Sequence, residues 1–170
     1  MGGGGGGYTG GIRDSDELRD AARRRISETA GEERTYNVFI PHAWDYEEEY
    51  QRLLSLLEDV EDFDFRDYSI PRDDPLETAT DAELEEALRN QIRPVSVVVV
   101  PAGMYAAHRR WIEKEIEIAR ELRKPIVAVR PWGSQMMPRI VEESADEVVG
   151  WHKEFIVDAI RRVRRDYDEL

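Results

Sequence analysis

The stretch Val95-Ser96-Val97-Val98-Val99-Val100 is almost continuously apolar and β-branched. Such residues crowd a helix at χ1 and fit a pleated strand. A strand that is apolar at successive positions, rather than at every second one, must be covered on both faces. Pro125 to Val129 repeats the pattern. Strands of this kind run parallel, and parallel neighbours need crossover segments, usually helices.

The rest of the chain supplies those crossovers. Tyr36-Asn37-Val38-Phe39-Ile40 reads as a strand ended by Pro41. Asp45 can cap a helix whose apolar face is Tyr46, Tyr50, Leu53, Leu54 and Leu57. Phe63 to Tyr68 reads as a short strand near a sheet edge, and 69–80, with Pro71 and Pro75, as a long loop. Helices follow over 81–92 and roughly 108–123, then a strand near 147–149 and a last helix over 153–166. The expectation is an α/β three-layer sandwich: a five-stranded parallel sheet with helices on both faces. Ligands bind such sheets at the carboxyl ends of the strands, where the strand order reverses. That directs attention to loops 41–46, 68–76 and 101–108.

Residues 1–13 are rich in glycine and read as a disordered tail. No strand precedes that stretch and no Gly-Lys-Ser/Thr follows it, so it is not a phosphate loop. Residues 14–30 read as an N-terminal helix with Leu18, Ala22 and Ile26 at helical spacing, and 36–166 as the domain proper. The chain has no cysteine, which excludes disulfides, thiolate metal sites and cysteine nucleophiles. Three scattered histidines give no zinc spacing, so no metal is expected. No apolar run approaches the about 20 residues of a membrane span, and no secretory signal is visible, so a cytoplasmic protein is the expectation. A formal charge of −13 disfavours nucleic acid as a partner. Only 3 of the 24 basic residues are Lys. That balance reads either as adaptation to high salt or as the Arg codon preference of a GC-rich genome.

One charge is out of place. With about 100° per residue on the 108–123 helix and Trp111 at zero, Leu122, Ala119 and Ile112 fall at roughly 20°, 80° and 100°. Glu115 falls at roughly 40°, inside this apolar arc. Glu113, Glu117 and Glu121 point the other way with Arg120. A carboxyl on an apolar face must be paired, cap a loop or line a cavity. Desolvation also raises its pKa, a common property of catalytic acids and bases.

Several blocks occur in a telling order: Phe39-Ile40-Pro41-His42-Ala43-Trp44, Asp67 to Leu76, Ala102-Gly103-Met104-Tyr105, Trp111 to Ile116, Lys124-Pro125-Ile126, Arg130-Pro131-Trp132-Gly133 and Ala145 to Trp151. Together, over about residues 36–161, they resemble the TIR-like domains of Thoeris antiphage systems, the ThsB type. Pro41 stands where many relatives carry Ser.

The resemblance implies a flavodoxin-like (TIR-like) fold and cleavage of NAD, as substrate rather than cofactor, at the nicotinamide–ribose bond. It implies a Glu four residues after a Trp as the catalytic group, which here is Glu115 after Trp111. It also implies a phage-derived trigger, a cyclic ADP-ribose-type product and an effector of the ThsA type reached through that diffusible signal. A homo-oligomer is compatible with it. Nicotinamide is a cationic leaving group, so the carboxylate's task would be to stabilise an oxocarbenium-like ribose. Phe39, His42, Trp44, Tyr68, Ser69, Tyr105 and Trp111 are the candidates for holding NAD, by stacking or by hydrogen bonds to ribose and phosphate. A closed 68–76 loop could exclude water.

The competing function is a non-catalytic TIR-like sensor or adaptor that acts by association, since one fold hosts both. A phospho-receiver would need an Asp where Val99-Val100-Pro101-Ala102 stands, and a flavodoxin would need a phosphate loop at 41–45. A nucleoside deoxyribosyltransferase also cleaves a C–N glycosidic bond with a Glu, but the ordered blocks favour the TIR-like family.

Overall fold

The computed structural model describes residues 34–41, 47–69, 80–133 and 136–169. The expected tail and first helix, the Asp45 cap, His42, Trp44 and most of the 68–76 loop lie outside these residues. Thr35–Leu170 form one compact unit.

Within it run β1 (Tyr36–Phe39), α1 (Glu47–Glu58), β2 (Phe65–Asp67), α2 (Asp81–Ile92), β3 (Val97–Pro101), α3 (Tyr105–Glu121), β4 (Ile126–Val129), α4 (Arg139–Ser144), β5 (Glu147–Val149) and α5 (Lys153–Asp168). The five strands are all parallel, in the order β2-β1-β3-β4-β5. This is the flavodoxin-like order, with the valine-rich β3 in the middle and β2 at an edge.

Side chains alternate across β3. Val97 and Val99 join Leu53, Leu57, Ile156 and Ile160 under α1 and α5. Val98 and Val100 join Leu88, Ile92, Ile112 and Ile116 under α2 and α3. Both faces are therefore covered, as a fully apolar parallel strand requires.

Local signals set the helix ends. Thr80 caps α2 with a reciprocal box: its Oγ1 accepts from the Glu83 amide at 3.3 Å, and its own amide donates to the Glu83 carboxylate at 2.8 Å. At the end of α3, Arg123 takes a left-handed conformation, φ 53°. The Arg123 and Lys124 amides then close on the Arg120 and Ala119 carbonyls at 2.9 and 2.8 Å. That Schellman closure turns the chain into β4.

Two details differ from the sequence expectation. α3 begins at Tyr105 rather than near 108, directly after a 3-10 turn over Ala102–Met104. A short helix, Arg139–Ser144, fills a stretch to which periodicity assigned nothing. It buries only Val141, too little to register as a repeat.

Candidate active site

Helix α3 places the anomalous carboxyl where the wheel puts it. Ile112, Ile118 and Ala119 around it are fully buried, and Glu115 is only 3% exposed. Its Oε2 has no hydrogen-bond partner among the described residues. Burial alone pushes its pKa up to about 8, because removing water penalises the charged form. No Arg or Lys is paired with it among the described ion pairs. The neighbouring cations are engaged elsewhere: Lys114 holds Glu85 at 2.9 Å and Glu117 at 3.2 Å, and Arg109 holds Glu113 at 2.9 Å.

Trp111, one turn earlier on the same face, is half-buried. It stands on the wall of a groove of about 800 Å³ between α2 and α3. Asp81, Leu84 and Leu88 form one side of that groove, and Arg110 and Lys114 stand with Trp111 on the other. Glu115 does not reach the wall. Ten residues also separate it from the start of α3, or about 15 Å along the axis. It therefore lies down the sheet's face rather than at the strand ends.

The other candidates fall into two groups. Phe39 is 1% exposed and belongs to the apolar layer under α3, and Tyr68, Tyr105 and Trp111 pack against that layer. These four therefore share one layer with Glu115. The Tyr105 hydroxyl donates to Glu113 Oε1 at 2.5 Å. Desolvation raises the Tyr105 pKa and the Glu113 bond adds to it, while the same bond lowers that of Glu113. Glu113 is thus tied to its own helix rather than left on a bare polar face.

Ser69 is buried, and its hydroxyl is engaged by both strand ends. Its Oγ accepts from the Ile40 amide at 3.1 Å and donates to Asp67 Oδ1 at 2.5 Å. It thereby pins the end of β1 to the end of β2, and Asp67 also takes the Tyr50 hydroxyl.

Sequence reasoning missed Glu49. This residue sits in the first turn of α1, and its buried Oε2 also lacks a partner among the described residues. Burial raises its pKa, with the Arg52 charge acting against that rise. Its carboxyl lies against Gly103, in the turn after β3: a Cβ there would stand 2.9 Å from Oε2. Nothing in the acidic run Glu47-Glu48-Glu49 marks the third residue as different.

Arginines near the C-terminus are paired with nearby acids. Arg162 forks onto Glu147 at 2.7 and 2.8 Å, and Arg164 reaches Asp168 at 2.7 Å. Among the described residues, no group of three His, Asp or Glu could hold a metal ion. No described helix is long and apolar enough to cross a membrane.

Comparison with known proteins adds three findings. The family model for the Thoeris protein ThsB, TIR-like domain, matches residues 39–136, from the end of β1 to just beyond β4. No curated protein sequence matches the chain. Among solved structures it is similar to a 3-dehydroquinate dehydratase-like protein from Bifidobacterium longum, with 11% identity and a TM-score of 0.41. That similarity spans 77% of this chain and 95% of the other, and it is too distant to bear on function.

Proposed function

Because the chain belongs to the family of the Thoeris protein ThsB, TIR-like domain, we propose that it is the signal-making enzyme of an antiphage system of that type. Its substrate is NAD. The bond between ribose C1′ and the nicotinamide nitrogen breaks, and its electron pair returns to the ring, which leaves as neutral nicotinamide. The ribose carbon is left as an oxocarbenium-like cation. An adenine nitrogen then attacks C1′ to give a cyclic ADP-ribose-type product, or water attacks to give ADP-ribose. Glu115, ionised, stabilises the cation. Trp111, on the groove wall one turn away, is placed to stack on a ring.

The observation that carries this reading is Glu115 itself: a carboxyl 3% exposed, with a buried oxygen that has no partner among the described residues, four residues after a tryptophan that lines a groove. A structural Glu would be paired, since an unpaired buried charge costs several kcal/mol. Its seclusion also fits a resting enzyme that admits substrate only after a trigger. With a pKa near 8, Glu115 is mostly protonated at neutral pH in this state. The free enzyme's kcat/KM should therefore rise with pH through about 8. A profile flat from pH 6 to 9 would remove Glu115 from that role.

The deciding experiment is mass spectrometry of small molecules from phage-infected cells that express the protein. Nicotinamide release together with a cyclic ADP-ribose isomer is the expected result. Unchanged NAD with an intact phage defence would favour the second reading, a sensor or adaptor that works by association. That alternative draws on the same seclusion of Glu115 from the groove.

A further inference from the structure

Glu49 has the properties of a second substrate-binding group. Its Oε2 is buried without a partner among the described residues. The cation that acts on it, Arg52, has its guanidinium 4.5 Å from the Trp132 ring centroid. A glycine, Gly103, stands where any side chain would collide with the carboxyl. The position matters as much as the burial. α1 follows β1, and the Gly103 turn follows β3. β1 and β3 are neighbours from which the chain departs in opposite directions, outward to β2 and outward to β4. In an open parallel sheet this divergence leaves a crevice at the carboxyl ends of the two strands, the usual place for a ligand.

An ionised carboxylate offers only acceptor lone pairs, so the group it takes must donate. The vicinal hydroxyls of a ribose supply two donors in reach of one carboxylate, the use to which acidic residues at strand ends are put in dinucleotide-binding sheets. We propose that Glu49 binds the ribose diol of the adenosine half of the substrate, in the crevice between β1 and β3. This assignment rests on the NAD reading above. The choice of half follows from the length of α3. Gly103 precedes the helix, whereas Glu115 lies about 15 Å beyond its start. Two groups so far apart do not hold one sugar, but a dinucleotide is long enough to span both once the layer over Glu115 admits substrate.

The test uses the purified full chain, triggered with infected-cell extract if it is silent alone, and reads nicotinamide release from NAD. Wild type is compared with Glu49→Gln and Gly103→Ala, whose methyl pushes the flexible end of Glu49 aside at little cost to folding. Both variants should raise KM for NAD about tenfold, the worth of one hydrogen bond to a charged group, with kcat little changed. Both should weaken inhibition by adenosine monophosphate to the same degree. Inhibition by nicotinamide mononucleotide, which lacks the adenosine half, should not change. A merely structural Glu49 would affect both inhibitors alike, and that result, or an unchanged KM in both variants, overturns the assignment. If wild type itself releases no nicotinamide from NAD, the NAD reading falls and takes this one with it. Normal cleavage by wild type, Glu49→Gln and Gly103→Ala alike removes Glu49 only. If Glu49→Gln does not fold, Gly103→Ala decides alone.

Discussion

The fully buried side chains beneath α1 and α5 are all hydrophobic, Val38, Leu53, Leu57, Val97, Val99, Ile156 and Ile160 among them. The layer on the opposite face of the sheet is built from the same residue types, Leu88, Val98, Ile112 and Ile118 among them, yet it encloses Glu115 and borders an open groove. Both layers descend from the same strand, because β3 sends alternate valines into each. The fully buried side chains of the first layer provide packing. The second gives up stability to keep a carboxyl dry, the kind of cost that active sites carry.

The largest expected effect lies in that second layer. The folded pKa of Glu115, about 8, is raised above the ordinary carboxylate value. A raised acid contributes its stability below the unfolded pKa and loses it as pH climbs through the folded one. At about 1.4 kcal/mol per unit, wild type should lose on the order of 4 kcal/mol relative to Glu115→Gln as pH rises from 4.5 to 8. Melting curves of the two proteins across that range check this. Parallel curves would show that Glu115 has the same pKa in the folded and unfolded chain, and the contrast between the layers would disappear.

Leu53→Ala probes the purely apolar layer. It should cost about 3 kcal/mol with no dependence on pH, as read by urea denaturation at pH 5 and pH 8. A cost that differs between the two would mean that the layers are not independent. A smaller effect is expected at the edge of the groove. Thr80→Ala removes both the Oγ1 acceptor and the capping box of α2 and should cost about 1 kcal/mol. A loss within error would show that packing, not the cap, fixes the start of α2.

The smallest difference expected is between the responses of variants to salt. Molar salt screens the surface and should raise all melting temperatures if the acidic balance is an adaptation to saline surroundings. Wild type, Glu115→Gln and Leu53→Ala should shift together, because neither layer is wet. A larger shift in wild type than in Glu115→Gln would place Glu115 in contact with solvent.

Much of this contrast is legible in the sequence, and particular residues show where legibility stops. The apolar run through Val100 declares a central strand because its pattern is local and needs no partner to interpret. Glu115 is visible because helical spacing alone places it among Trp111, Ile112 and Ala119. Ser69 is different: it can be picked out as a polar group at a strand end, but nothing nearby says that Ile40 and Asp67 will consume its hydroxyl. Glu49 is hidden more completely, since what isolates it is a glycine more than fifty positions later, brought against it by the pairing of β1 with β3. The start of α3 is not legible, because Ala106, Ala107 and His108 carry no apolar period.

On the function proposed above, Glu115 is a catalytic carboxyl kept buried at a cost to folding. Glu115→Gln preserves its size and removes its charge, and Glu117→Gln, an exposed partner of Lys114 on the same helix, is the control. Melting temperature and NAD turnover should be measured on both at pH 8 under triggering conditions. Glu115→Gln should melt no lower than wild type and lose activity by about a hundredfold or more, while Glu117→Gln should resemble wild type in both. A Glu115→Gln protein that turns NAD over normally but melts at a lower temperature would contradict that role.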